Sequence, residues 1–479
     1  MTRITRIPRP LTALLLVALV EALAWTIALP PTQGPDEISH LAYTQRIVEA
    51  GEIPYQRSDP AVPGQPYSSE LSTALTIGDI APLYANPAAR APGSAVDERI
   101  WGEADAELAP GSRANGGFTS AMKNPPLYYL YAAPWYAAAH FATIWDRALV
   151  MRLANIPAFL AIVIFTWLLA GELLGRSRPW LQTLAAGAAA LQPQLVHMTA
   201  VANPDVFLSA LWTAALYVGV LLVKRGPSRG LVAWMLGLAA AGILTHGRGL
   251  ALAVVAVVAL ALSLWRFRRP ASRRARTLAI VATGAAVGAG ALGLFWYAMR
   301  GDPSASRVRE AASYLWQFYL PKLGFMAEGL RSDWGVRDVY IDRFFGPFGQ
   351  LEVTFSVALL DALSVLARVF AVLALVGAMM MHKRLRARWD AVLVLGGAFV
   401  ASMTLLHVEA YRSLSAGSPD PILTGRYLLP LIGLYGVGIA LAIAWLPRRA
   451  GVAAGAVVLM GLALLQMSGM GILVERFYA

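Results

Sequence analysis

The chain alternates long apolar runs with short arginine-rich connections, and that alternation leaves few folds open to it. Apolar stretches recur at 11–29, 153–172, 180–197, 205–223, 230–245, 249–265, 277–299, 353–381, 390–407, 425–446 and 450–471. A helix needs about 20 apolar residues to cross a bilayer. Inside lipid, only helices and closed barrels satisfy every backbone polar group. The pattern predicts an all-α polytopic membrane protein with about 11 transmembrane helices in one integral domain spanning 1–479. Composition agrees, since 57% of the 479 residues are hydrophobic and only 14% are charged. There is no cysteine, which excludes disulfides, thiolate catalysis and cysteine-ligated zinc.

The net charge of +12 is not a nucleic-acid signal, because the basic residues fall in short connections. Arg176 and Arg178, then Lys224, Arg225 and Arg229, then Arg266 to Arg276, then Lys383 to Arg388, and finally Arg448 and Arg449 punctuate the runs. Cytoplasmic loops carry such clusters. Placing them all inside puts the N-terminus of a multi-pass protein in the cytoplasm, and the alanine- and arginine-rich, lysine-poor composition suits a bacterial cytoplasmic membrane. Arg3, Arg6 and Arg9 before a leucine-rich run would suit a signal peptide. The run is long for one, however, and Pro30-Pro31 stands where small residues would be cleaved, so an uncleaved first helix is expected.

One apolar stretch, 127–144, would invert every later loop if it crossed. Its tyrosines and tryptophan suit a helix lying in the outer interface. The outer side then holds two large loops, 30–152 and 300–352. The first is expected to be irregular from Ser58 to Asn115. The second carries Trp316, Phe318, Tyr319, Trp334, Phe344, Phe345 and Phe348, which suits either a lid or a membrane anchor.

Ionisable residues at helix ends gather on the outer side, which implies a polar cavity open to that side. Pro35-Asp36-Glu37-Ile38-Ser39-His40 follows the first run directly. A carboxylate there serves either as a general base for an acceptor hydroxyl or as a helix cap. Lys123-Asn124-Pro125-Pro126 lies at headgroup depth, where lysine either pairs with a lipid-linked phosphate or snorkels. Asn203-Pro204-Asp205 reads as a turn and cap or as a second acid. In Thr245-His246-Gly247-Arg248 the histidine reads first as a turn residue. Arg426, in Gly425-Arg426-Tyr427-Leu428-Leu429-Pro430, enters a span and requires an anionic partner. No zinc or phosphate-loop signature occurs. A divalent metal on Asp36, Glu37 and Asp205 is chemically open.

In this order, Pro35-Asp36-Glu37 with His40, Pro125-Pro126-Leu127-Tyr128-Tyr129, Asn203-Pro204-Asp205 and Gly425 to Pro430 resemble the GT-C glycosyltransferase superfamily. The similar branch contains protein O-mannosyltransferases and lipid A aminoarabinose transferases, and within it an uncharacterised family of bacterial predicted membrane proteins. The resemblance implies a GT-C-like fold and a membrane glycosyltransferase with its site on the outer face. It implies a polyprenyl phosphate-linked sugar donor and a glycan, lipid or protein acceptor, in the context of the cell envelope. The same resemblance implies Asp36 as the base, Glu37 as a helper for the acceptor or a metal, and Lys123 and Arg426 as partners of the donor phosphate. His40, Asn124, Asn203, Asp205, His246 and Arg248 complete the candidate site. Asn124 stands where the mannosyltransferases have histidine, so protein O-mannosylation is not carried over. The competing class is a non-catalytic polyprenyl-lipid-binding protein or a transporter. A transporter places its polar groups near mid-membrane at broken helices.

Overall fold

The computed structural model describes residues 7–56, 60, 64–78, 95–268, 304–326, 335–417 and 423–478, with scattered positions between 277 and 299. Its regular structure is helical, with one isolated antiparallel bridge between Phe348 and Val353. Among the described residues, eight helical segments are long and apolar enough to cross a membrane. They are Arg9–Ala28, Ile144–Leu174, Asp205–Arg225, Gly247–Phe267, Val357–Met380, Trp389–Ser415, Gly425–Ile443 and Arg448–Tyr478. The fold is all-α and polytopic.

Three of the eleven apolar runs are not among these eight. The run at 180–197 is broken into Pro179–Ala190 and Pro193–Thr199. Pro193 has no N–H for a continuing helix, and the Gln192 side chain caps the second piece by accepting from the Leu195 N–H. The run at 230–245 forms the 17-residue helix Arg229–Thr245. At about 25 Å it is shorter than the eight, yet it leads from the Lys224–Arg225 end of the bundle to the turn at His246 and Arg248. The run at 277–299 lies outside the described residues apart from scattered positions.

The core forms where Asn155–Leu174, Pro179–Ala190, Asp205–Arg225 and Ile432–Ile443 pack together. Small residues permit the close approach: a Cβ on Gly436 would stand 2.3 Å from the Ala185 carbonyl oxygen. Such contacts supply the dispersion energy that apolar burial cannot supply between helices in lipid.

The segment between the first two spans is more ordered than expected. Outside 57–59, 61–63 and 79–94, which are not described, it contains helices Ser69–Ile77 and Ala95–Glu107. Ser68 caps the first of these by accepting from the Leu71 N–H. The fully buried Glu70 pairs with Arg147 and, at 3.0 Å, with Arg113. Charges that look solvated in sequence find buried partners here, and that orders the chain. Leu127–Ala138 is 12 residues long, about 18 Å, and cannot cross. It turns Tyr128, Tyr129, Ala132 and Tyr136 inward and packs against Glu37–Ala50.

In the second large loop the aromatics divide. Phe344, Phe345 and Phe348 are buried, and Phe348 packs against Trp25, His197 and Phe355. Those three are core residues, contrary to the lid or anchor expected. Tyr319 is exposed and Trp316 marginally so, on the amphipathic helix Ala305–Tyr319, while Trp334 lies outside the described residues.

Buried ion pairs gather at the two ends of the bundle. At one end the fully buried Glu37 makes a two-pronged pair with Arg152, Oε1 to Nε at 2.6 Å and Oε2 to Nη2 at 2.7 Å. Arg152 also donates to the carbonyls of Leu29 at 2.5 Å and Pro30 at 2.7 Å. Glu37 accepts from the backbone N–H of Ala202 at 3.0 Å. At the far end of the Asn155–Leu174 helix, Glu172 collects Arg176, Lys224 and Arg225, and Arg388 donates to the Glu172 carbonyl. Nearby, Arg266 pairs with Asp390.

Breaking a buried pair strands a charge, at a cost of about 3–5 kcal/mol. Arg152→Ala is therefore expected to lower the thermal unfolding midpoint of the detergent-solubilised protein sharply, with Arg152→Lys intermediate because lysine cannot bridge both carboxylate oxygens. Tryptophan fluorescence melting measures this, and an unchanged midpoint would remove the pair from the determinants of the fold.

Candidate active site

Four helix ends converge beside the Glu37–Arg152 pair. Asp36 stands at the cap position of helix Glu37–Ala50 with φ 62° and ψ 4°, but its side chain makes no capping bond. A left-handed conformation is costly for most residues and tolerated best by Asn, Asp and Gly. It turns the Asp36 carboxylate away from its own helix and toward Arg426, whose Nη2 lies 3.0 Å from Oδ2. This removes the capping role from Asp36.

Arg426 opens the short 3-10 turn Gly425–Leu431 that leads into Ile432–Ile443. A Cβ on Gly425 would stand 2.2 Å from the Val339 carbonyl oxygen, so only glycine lets this entry lie against 338–345. Arg426 Nε lies 3.5 Å from Asp205 Oδ2, and the other Asp205 oxygen pairs with Arg248. Asn203 Oδ1 accepts from the Asp205 N–H at 3.0 Å, holding the carboxylate at the positive end of its helix. Arg248 follows the turn in which His246 Nδ1 accepts from the Arg248 N–H at 3.1 Å. The Arg248 guanidinium lies 4.2 Å from the Tyr427 ring centre and that of Arg426 lies 5.2 Å from it, both within cation–π range.

The result is an alternating row, Asp36–Arg426–Asp205–Arg248, with no net charge. Its members differ in access to solvent. The Asp36 side chain is 57% exposed, while those of Arg426 and Asp205 are 7% and 5% exposed. Arg426 Nη1 and Arg248 Nη1 make no hydrogen bond.

A second, neutral network forms the opposite wall. His40 Nδ1 shares a 2.8 Å hydrogen bond with the Tyr129 hydroxyl. Asn124 Nδ2 donates to the same hydroxyl at 3.3 Å, and Tyr43 stacks on Tyr129 at 3.7 Å. Burial pushes His40 down to about 4 against the opposing pull of Asp36, and pushes the Tyr129 hydroxyl well above its ordinary range. Burial, followed by the Arg248 charge, holds His246 well below its ordinary value. All three groups are neutral at pH 7.

These walls enclose a polar cavity of about 160 Å³ lined by Asp36, His40, Asn124, Asn203, Asp205, His246, Arg248 and Arg426. It shares Asn124, His246, Arg248 and Tyr427 with a larger cavity of about 440 Å³. The larger one is lined by Trp212, Leu250, Leu405, Leu406 and Pro430, and carries Lys123, Glu409 and Arg412. Lys123 thus stands on the adjoining groove rather than in the polar cavity.

Glu37 does not face either cavity, because Arg152 holds it in the interior. The oxygen trio Asp36, Glu37 and Asp205 is therefore not assembled as a metal site. Among the described residues no three His, Asp or Glu side chains converge on one point. Tyr427 and Tyr129 were not singled out in the sequence. Tyr427 had a signal, since it directly follows Arg426. Tyr129 had none beyond its motif, because its partners His40 and Tyr43 lie 89 and 86 residues away.

The fold and the ionised helix ends define a multi-pass membrane protein with one polar site beside an apolar groove. Residues 19–435 match the family described as Predicted membrane protein (DUF2142), and the chain belongs to that family. A search of curated proteins gives no match. Among solved structures the chain is similar to the crystal structure of the Archaeoglobus fulgidus oligosaccharyltransferase in the apo form. Identity there is 12% and the TM-score 0.48, with 96% of this chain and 56% of that chain covered. It is also similar to the archaeal oligosaccharyltransferase AglB from Archaeoglobus fulgidus in complex with an inhibitory peptide and a dolichol-phosphate. In that case identity is 13% and the TM-score 0.49, with 98% of this chain and 56% of that chain covered. The chain spans a little over half the length of these structures.

The His40 environment has a consequence for pH. The unfolded chain binds a proton at about 6.5 and the folded one only near 4. Stability from this residue is complete above pH 6.5 and is lost as pH falls toward 4. The loss is at most about 1.4 kcal/mol per pH unit. Between pH 6.5 and 4, wild type should lose stability faster than His40→Gln, as read from unfolding midpoints across that range. Parallel curves would contradict the buried neutral imidazole.

Proposed function

We propose that this protein is a membrane glycosyltransferase that moves a sugar from a polyprenyl phosphate-linked donor to an acceptor hydroxyl. The observation that carries the reading is one exposed carboxylate, Asp36, beside two largely buried guanidinium groups in a cavity that shares four lining residues with an apolar groove. The groove suits a polyprenyl chain, and the guanidinium N–H groups of Arg426 and Arg248 suit a phosphate oxygen. The motif resemblance to GT-C enzymes points the same way.

In this reading Asp36 accepts the proton of the acceptor hydroxyl as its oxygen bonds to the anomeric carbon. The bond from that carbon to the phosphate oxygen breaks, and its electron pair leaves on polyprenyl phosphate. Arg426 and Arg248 stabilise the charge that develops there, while Lys123 supports the headgroup from the groove. His40, being neutral, positions the wall rather than taking the proton. Glu37 acts indirectly, by fixing the backbone on which Asp36 is mounted.

We further propose that the site faces outward from a bacterial cytoplasmic membrane, with the N-terminus inside. Support comes from the Glu172 end, which draws together Arg176, Lys224, Arg225 and Arg388 as an inner end would.

The activity test compares a deletion strain carrying wild type with one carrying Asp36→Asn. Lipid-linked sugars and surface glycans are read by mass spectrometry. Deletion should accumulate a polyprenyl phosphate-sugar and lose one glycan, and Asp36→Asn should reduce transfer by about 10²-fold or more, the worth of a general base. Full complementation by Asp36→Asn at equal protein level would overturn the base assignment and favour a binding or transport role.

Because the chain has no cysteine, single cysteines report sidedness cleanly. Ser306→Cys should react with an impermeant maleimide in intact spheroplasts, and Lys383→Cys only after lysis. The reverse pattern would invert the topology.

A further inference from the structure

We infer that the Asp36–Arg426 ion pair is a latch that the donor's headgroup opens, so that Asp36 is freed as a base only when the phosphate has arrived. This rests on the transferase reading and adds an order of events to it. The two partners are unequally held. Arg426 is anchored by Asp205 and Tyr427 and is almost wholly buried, so it cannot leave. Asp36 is more than half exposed and holds Arg426 through a single contact, Nη2 to Oδ2 at 3.0 Å. If one side of the pair lets go, it is Asp36.

Charge gives the reason to let go. With Asp36 in place, the row of two carboxylates and two guanidinium groups is neutral and offers an incoming anion no net attraction. With Asp36 swung away, Arg426, Arg248 and Asp205 leave one positive charge. The vacated Arg426 Nη2 is then available to a phosphate oxygen, while Arg426 Nη1 and Arg248 Nη1, buried and without a hydrogen-bond partner, add positive charge behind it. A phosphate therefore replaces the carboxylate one anion for another. Release also frees the Asp36 carboxylate to turn toward an acceptor hydroxyl, so headgroup binding and presentation of the base become one event. Without a donor the base stays masked.

The latch makes an unusual prediction. If Asp36 competes with the phosphate for Arg426, removing its charge strengthens binding of the very ligand whose turnover it supports. Asparagine suits the left-handed backbone at this position, so Asp36→Asn is expected to fold. The probe is decaprenyl phosphate without sugar, titrated into wild type, Asp36→Asn and Arg426→Ala in detergent micelles, with tryptophan fluorescence as readout. Dioleoyl phosphatidylglycerol serves as the ordinary lipid phosphate, and the melting midpoint of each variant is recorded.

Asp36→Asn should bind decaprenyl phosphate about tenfold more tightly than wild type, the effect of relieving one modest competing contact. Arg426→Ala should lose most binding, and phosphatidylglycerol should bind far more weakly to all. If Asp36→Asn binds as wild type does, or more weakly, while Arg426→Ala still abolishes binding, the latch is wrong and the transferase reading stands. If wild type does not bind decaprenyl phosphate, or binds phosphatidylglycerol equally, the donor assignment itself fails and the latch with it.

Discussion

Much of the structure depends on one buried ion pair. Glu37 and Arg152 are far apart in sequence and wholly removed from solvent. Arg152 spends its remaining N–H groups on carbonyls at the end of the first helix, and Glu37 its remaining capacity on the turn at Ala202. Two charges in a low-dielectric interior hold only if nearly every lone pair and proton is satisfied, and here they are. The pair therefore specifies how four chain segments meet rather than simply adding stability. Gly34 shows how tight the meeting is, since a Cβ there would overlap Val201.

The neighbouring acid behaves differently because the backbone between them turns. Glu37 begins a helix and points inward, while Asp36, one residue earlier and left-handed, points into the cavity. Two adjacent carboxylates thus take opposite environments within one peptide unit. The inner one is locked by a two-pronged partner, and the outer one is held by a single contact. That inequality lets the site have both a rigid frame and a movable charge.

The bundle gathers its buried ion pairs at its ends, where water and partners are within reach, although Glu21 and Arg368 stand within spans. The two ends pair their charges differently. Around Glu172, cations outnumber the acid and satisfy themselves on carbonyls as well. Around Asp205, acids and guanidinium groups alternate in a row. The first arrangement satisfies its charges on the protein itself, and the second lines a cavity.

The sequence by itself determined the helical, multi-pass architecture, because no other fold satisfies backbone groups across so many apolar runs. It also marked the residues of the polar cavity, since Asp36, Asn203, Asp205, Arg248 and Arg426 are each conspicuous at the end of an apolar run. It did not distinguish Asp36 from Glu37, or tell that the run at 180–197 breaks at Pro193. Nor did it reveal helices at Ser69–Ile77 and Ala95–Glu107 within a stretch that reads as irregular. Only the tertiary structure decided these, and for one reason. Each turns on a partner distant in the chain: Arg152 for Glu37, Arg426 for Asp36, Arg147 for Glu70 and the Phe344 carbonyl for Gln192. Apolar patterning is a local property that a chain carries in its own order of residues. The fate of a charge depends on which opposite charge the fold brings to it.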